Sequence, residues 1–163
     1  MEQFEFVPDS TELVLSWMSK LDEASDGWMN LLPGLTDGST RASTGLFGGF
    51  SALIGQPTTM STMGTYLPPK RSSQPGVGAS IGLLHPCGSH GMGQLSRAGL
   101  DTPPTWKVRQ DHSRRGIVLE LPPGTLHSDA AAWLIEACTL LCRVQLTGSW
   151  QAVVYRPQMK IVG

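Results

Sequence analysis

The segment LLHPCGSHGMGQLSRAG, residues 83–99, holds the residue types that could carry chemistry, because the thiol of Cys87 lies between the imidazoles of His85 and His90. A cysteine becomes a nucleophile when a neighbouring imidazolium or a helix N-terminus lowers its pKa. Three glycines within residues 88–93 could turn backbone N–H groups toward an oxyanion. The catalytic candidates are therefore Cys87, His90 and His85.

Two other interpretations of this segment stay open. As a metal site, it offers three ligands at spacings of two and three residues, too close for an ordinary zinc finger, and no second cluster follows. We therefore expect no metal and no cofactor. As a structural element, Pro86 and the glycines build an irregular turn after a strand, with Cys87 beneath it. The sequence favours the turn, because short patterns without a confirming context are often coincidental.

Residues within 97–109 supply the candidates for binding a small ligand, namely Arg97, Asp101, Trp106 and Arg109. The last two belong to the densest basic patch of the chain, within residues 106–115. Basic and aromatic residues on a hairpin can bind single-stranded nucleic acid. The chain has a pI of about 6.4, however, without the basic excess that such binding usually requires. We expect no nucleic-acid partner and interpret the patch as a solvated strand face.

Two further patterns have structural explanations. The run Gly78 to Gly82 matches the G-x-S-x-G nucleophile elbow, but no buried strand precedes it and Pro86 forbids a long helix after it. Cys138 and Cys142 are four residues apart on a predicted helix. A structural zinc site usually has four ligands, so we expect these thiols to pack as small apolar groups.

The first predicted element is a helix that follows a capping box formed by Asp9 and Glu12. Its apolar positions recur at helical spacing, and Gly27 ends it. Three acidic residues crowd its last turn, where the helix dipole favours cations. We expect this end to fray or to meet a basic neighbour. Residues 28–32 then form a short apolar anchor, closed by Pro33 and Gly34.

The middle of the chain, residues 33–104, holds most of the 19 glycines and 12 prolines. This composition predicts short strands and loops rather than long helices. The best strand candidates are residues 60–67 and 78–84, and residues 70–76 form the predicted mobile loop between them.

Residues 105–156 predict a hairpin followed by a strand-helix-strand unit. Alternating apolar and polar residues indicate a strand over 106–111, and a second strand over 117–121 follows a turn. A helix capped by Ser128 or Asp129 runs to about residue 143, and a last strand covers 150–156. This βαβ unit is expected to cross over with right-handed chirality.

Composition and charge complete the interpretation. At 163 residues, of which 40% are hydrophobic and 15% charged, the chain predicts one α+β domain, residues 1–163, with a mixed or antiparallel sheet and an N-terminal amphipathic helix. Residues 1–37 carry eight carboxylates and one lysine, which the basic remainder is expected to complement. We find no export or membrane-spanning signal and expect a cytoplasmic location.

These features favour a non-enzymatic binding or accessory protein that contacts a protein partner, or a second copy of itself, through exposed Trp and Met side chains. The alternative is a small enzyme, or a ligand- or metal-binding protein, that uses the Cys/His cluster at residues 85–90.

Overall fold

The computed structural model describes residues 1–36, 60–71 and 75–156, in which strands and helices alternate along the chain. The elements are β1 (Glu2–Phe6), α1 (Glu12–Ala24), β2 (Trp28–Leu35), β3 (Met63–Leu67), β4 (Ser80–Leu84), α2 (Gly91–Arg97), β5 (Lys107–His112), β6 (Gly116–Glu120), α3 (His127–Leu141) and β7 (Leu146–Tyr155). No helix within these ranges is both long and apolar enough to cross a bilayer.

The strands form one open sheet in the order β1-β7-β2-β3-β4-β6-β5, and each neighbouring pair is antiparallel. The fold is therefore α+β, as predicted, with the antiparallel rather than the mixed sheet. These pairings make β6 and β7 run in the same direction with β4, β3 and β2 between them. The predicted strand-helix-strand unit thus joins two parallel strands that are not neighbours in the sheet.

The helices pack together on the sheet, with α3 at the centre. Helix α3 contacts β2, β3 and β4, and it also contacts α1 and α2. Gly64 in β3 allows this approach, because a Cβ there would lie 3.2 Å from Leu134 and 3.3 Å from the Sγ of Cys138. The core under the helices therefore depends on a small residue in the central strand.

Helix α1 begins differently from the prediction. Thr11 is the N-cap residue and makes no side-chain cap hydrogen bond, while Glu12 accepts a hydrogen bond of 2.9 Å from the Ser10 hydroxyl. The prediction of a capping box formed by Asp9 and Glu12 was wrong, because an isolated β-bridge between Val7 and Ser10 places Asp9 in a turn before the helix. The helix ends at Ala24, and its C-cap residue is Ser25, which has a left-handed φ of 51°, whereas Gly27 was predicted to end the helix.

Two strands were not predicted from the sequence. β1 precedes the first predicted element, and β2 covers the segment interpreted as an apolar anchor. Both faces of β2 are buried over most of its length, so the segment lacks the alternation of polar and apolar residues that would indicate a strand. Pro33 is tolerated there because the pairing register with β7 shifts between Pro33 and Leu35.

Helix α2 was not predicted either, because the glycine-rich region that contains it was interpreted as short strands and loops. The other strands and α3 follow the predicted order, with shifted ends. The hairpin is formed by β5 and β6, and β7 begins at Leu146 rather than at residue 150. Helix α3 begins at His127 and ends two residues earlier than predicted, which leaves Cys142 just beyond it. The predicted loop over 70–76 lies partly outside the described residues.

Cys138 packs as predicted. Its side chain is fully buried, and burial raises the pKa of the thiol to about 12. Such a thiol is neutral at physiological pH and behaves as a small apolar group.

Candidate functional site

Three polar side chains from separate elements meet where the end of α1 reaches the start of α3. Tyr66 of β3 donates a hydrogen bond of 2.6 Å to Oδ1 of Asp22 in α1. His127, the first residue of α3, places its Nε2 2.7 Å from Oδ2 of the same carboxylate. The Tyr66 and His127 rings also meet edge to face, with centroids 5.9 Å apart. Asp22 therefore bridges an imidazole and a phenol.

The donor and acceptor roles in this cluster follow from the chemistry of the carboxylate. An ionised carboxylate only accepts hydrogen bonds, so Nε2 of His127 carries the proton that lies between the two groups. Burial, followed by the hydrogen bond to Asp22 and its negative charge, raises the pKa of Tyr66 far above its usual range. Tyr66 is thus a neutral donor at physiological pH.

The cluster lines a cavity of about 150 Å³. Much of the remaining wall is apolar and comes from the loops around β4 and β6, including Pro69, Val77, Leu121, Pro122 and Pro123. An apolar wall with a few convergent polar groups is the usual composition of a small-ligand site.

Hydrogen bonds fix the loop that forms one side of this cavity. The hydroxyl and the backbone N–H of Thr125 both donate to the Pro122 carbonyl, at 2.7 and 3.2 Å. The N–H of Leu121 donates to the Ala79 carbonyl at 2.9 Å, which ties the end of β6 to the start of β4. The loop therefore holds His127 in position at the start of α3.

The Cys/His segment predicted as the catalytic candidate contains a turn after β4. The Sγ of Cys87 donates to the Leu141 carbonyl at 3.3 Å, and the backbone N–H of Cys87 donates to Nδ1 of His85 at 3.2 Å. His90 precedes α2 with a left-handed φ of 64°. The thiol hydrogen bond found here therefore leads to a backbone carbonyl and not to either imidazole.

Of the glycines predicted to turn N–H groups toward an oxyanion, Gly91 directs its N–H to a carboxylate of the protein. Gly91 and Met92 donate their backbone N–H groups to Asp111 at 3.1 and 3.3 Å. Gly91 must be small, because a Cβ there would lie 2.6 Å from Nε2 of His85. Asp111 thus accepts hydrogen bonds from the first two N–H groups of α2, where the helix dipole favours a negative charge.

The metal interpretation of this segment has no geometric support within the described ranges. In residues 1–36, 60–71 and 75–156, no three His, Cys, Asp or Glu side chains lie together in a group that could hold an ion.

The four ligand-binding candidates lie apart from the cavity. Arg97 ends α2, and Asp101 accepts a hydrogen bond of 2.7 Å from Ser96. Trp106 is buried against Trp133, with ring centroids 6.1 Å apart. Arg109 forms an ion pair of 2.7 Å with Glu120 of the neighbouring strand, which agrees with a solvated strand face.

The tryptophan surface on which a protein contact was predicted is largely absent. Four of the five tryptophans are buried, at positions 17, 106, 133 and 150. Among the described methionines, Met1 and Met60 are exposed, whereas Met18 and Met29 are fully buried.

Sequence reasoning missed the Asp22 cluster but anticipated part of it. The acidic last turn of α1 was expected to meet a basic neighbour, and Asp22 meets His127. His127 precedes the predicted cap of the C-terminal helix, Ser128 or Asp129, whereas it is the first residue of α3. Tyr66 carried no functional signal beyond its place in a predicted strand.

Comparison with known proteins adds no relative: no family model matches the chain, and neither the curated proteins nor the solved structures contain a match.

Proposed function

We propose that this α+β protein is a non-enzymatic binding protein that holds a small molecule in the cavity beside Asp22, Tyr66 and His127. The observation that carries this proposal is the bridging carboxylate of Asp22, which fixes both neighbours at the wall of an otherwise largely apolar cavity. Polar groups that are already oriented lose little entropy when a ligand binds.

Binding is favoured over catalysis by the hydroxyl groups present. The described lining residues include no serine or cysteine. The hydroxyls of Tyr66 and Thr125 already donate to Asp22 and to the Pro122 carbonyl. A hydroxyl nucleophile needs a base that accepts its proton and is oriented by a third group. In this cluster the phenol and the imidazole are both bound to the carboxylate, so neither activates the other.

A pair of substitutions on α3 tests the cavity. Ala130 is buried and lines it, whereas Ala132 is exposed on the same helix. We expect Ala130→Leu to fill the cavity and abolish binding of small aromatic probes, measured by NMR chemical-shift changes. Ala132→Leu adds the same side chain to the helix outside the cavity and should leave binding intact. Equal probe binding by both variants would place the ligand site elsewhere.

Self-association through another surface is a separate proposal, supported only by the sequence. Light scattering coupled to size-exclusion chromatography tests it directly, and a monomer at all accessible concentrations would remove it.

A further inference from the structure

We infer that the cavity selects a compact apolar molecule carrying a primary ammonium group. This inference rests on the proposed function and specifies the ligand class for the same site. It follows from three features of the cavity: its hydrogen-bonding groups, its charge and its size.

The polar side chains that line the cavity already direct hydrogen-bond donors to partners within the protein. Tyr66 and His127 direct their donors to Asp22, and both donors of Thr125 go to the Pro122 carbonyl. The lining prolines have no backbone N–H at all; they are Pro69, Pro122 and Pro123. Each oxygen of the Asp22 carboxylate can accept more than the one hydrogen bond that it receives here. A ligand that donates hydrogen bonds therefore fits this lining better than one that accepts them.

The charge near the cavity favours a cation. Asp22 lies in the last turn of α1, which contains no basic residue, and the C-terminal end of a helix carries a partial negative charge. Glu23 and Asp26 add two exposed carboxylates to the same helix end. The guanidinium of Arg71 already approaches this end of α1, since its Nη2 lies 3.4 Å from the Glu23 carbonyl.

The volume sets the size of the apolar part. A cavity of about 150 Å³ matches apolar protein cavities of roughly that volume that bind benzene. The inferred ligand is therefore about the size of a single six-membered ring bearing an aminomethyl group.

Four probes that share one benzene ring and differ in the group attached to it test this inference on the full chain. Benzylamine is a cation that donates hydrogen bonds, and benzyl alcohol is a neutral donor. Toluene is neutral and donates no hydrogen bond, and benzoate is an anion that accepts hydrogen bonds. We expect benzylamine to bind about tenfold more tightly than benzyl alcohol or toluene, because hydrogen bonds to charged groups are the stronger class. Benzoate should bind least. NMR chemical-shift titration at fixed pH measures all four affinities.

A charge-neutralising substitution assigns the preference to one carboxylate. Asp22→Asn should remove the tenfold advantage of benzylamine while toluene still binds. Glu23→Gln makes the same charge change one residue away on an exposed side chain, and it should reduce benzylamine binding far less. Equal losses in the two variants would mean that benzylamine responds to the overall field of the helix end, and would overturn direct recognition by Asp22.

The wild-type comparison separates this inference from the proposed function. If toluene and benzoate bind as tightly as benzylamine, and Ala130→Leu blocks all of them, the cavity binds ligands without the inferred selectivity. If none of the four probes binds, the proposed function itself fails. Because the four affinities are measured on unmodified protein, their order stays decisive even if Asp22→Asn does not fold.

Discussion

The two tyrosines of the chain provide a matched test of the Asp22 cluster. The Tyr66 hydroxyl donates to Asp22 at 2.6 Å, whereas the Tyr155 hydroxyl is buried and has no hydrogen-bond partner among the residues that the structure describes. Replacing each by phenylalanine deletes the same oxygen and leaves no large void. Tyr66→Phe should therefore destabilise the fold, and Tyr155→Phe should be neutral or stabilising.

The magnitude follows from the environment of Asp22. A hydrogen bond to a charged group contributes about 1.5 to 3 kcal/mol. The Asp22 side chain is 31% exposed, so water replaces part of what the phenol supplies, and the lower end of that range, about 1.5 kcal/mol, applies. Tyr155→Phe should instead stabilise the fold by up to about 1 kcal/mol, because folding then no longer removes a hydroxyl from water without giving it a hydrogen bond.

Urea unfolding followed by circular dichroism measures both effects. With an m value of about 1 to 3 kcal/mol/M, the Tyr66→Phe midpoint should fall by about 0.5 to 1.5 M. In an Asp22→Leu background, the further loss caused by Tyr66→Phe should nearly vanish, since the acceptor is gone. Equal midpoints for Tyr66→Phe and Tyr155→Phe, or additive losses in the double variant, would refute the hydrogen bond as a stabilising contact.

Three further predictions concern His85 and the cysteines. Burial lowers the pKa of His85 below its ordinary 6.5. Because the unfolded chain then binds a proton more readily than the folded chain, the stability of the fold should decrease as pH falls below about 6.5. Unfolding measured over a range of pH should show that His85→Gln flattens this decrease, with His112→Gln as the matched control. Cys138→Asp should lower the stability of the fold by on the order of 4 kcal/mol, because an unpaired carboxylate enters the core. Cys142→Asp, just beyond the end of α3, should lower it much less. Similar decreases in melting temperature for the two variants would contradict the orientation of α3. The thiol of Cys87 donates to the Leu141 carbonyl and should react with iodoacetamide at pH 7 no faster than free cysteine does. Peptide mass spectrometry measures this labelling. Faster labelling of Cys87, slowed by His90→Ala, would restore the activated-thiol interpretation.

Most of the helices and the C-terminal strands were predictable because their signals are local. In β5 and β6 a turn separates two strand-like segments, and α3 combines a polar start with a long apolar run. Strand β2 lacked such a signal, since an apolar run that is buried on both faces has no period of two. Tertiary burial, rather than local propensity, determined its conformation.

The candidate site could not be predicted for a related reason. Asp22 and His127 are 105 residues apart in the chain, and Asp22 and Tyr66 are 44 apart. No local pattern relates such positions, whereas the cysteine and histidines near residue 87 attracted attention because they are close in sequence. In the structure that nearness produces a turn, and the convergence of polar groups occurs where three separate elements meet.

The position of Asp22 is unfavourable by local rules, and this supports a role beyond packing. A carboxylate in the last turn of a helix opposes the dipole at a cost of about 0.3 to 1 kcal/mol. The donors of Tyr66 and His127 offset that cost, yet an amide at residue 22 would accept one of those bonds without opposing the dipole. Sequences depart from local rules mainly at functional sites. If Asp22→Asn proves little less stable than the native chain but loses its preference for benzylamine, then the carboxylate is present for the ligand and not for the fold.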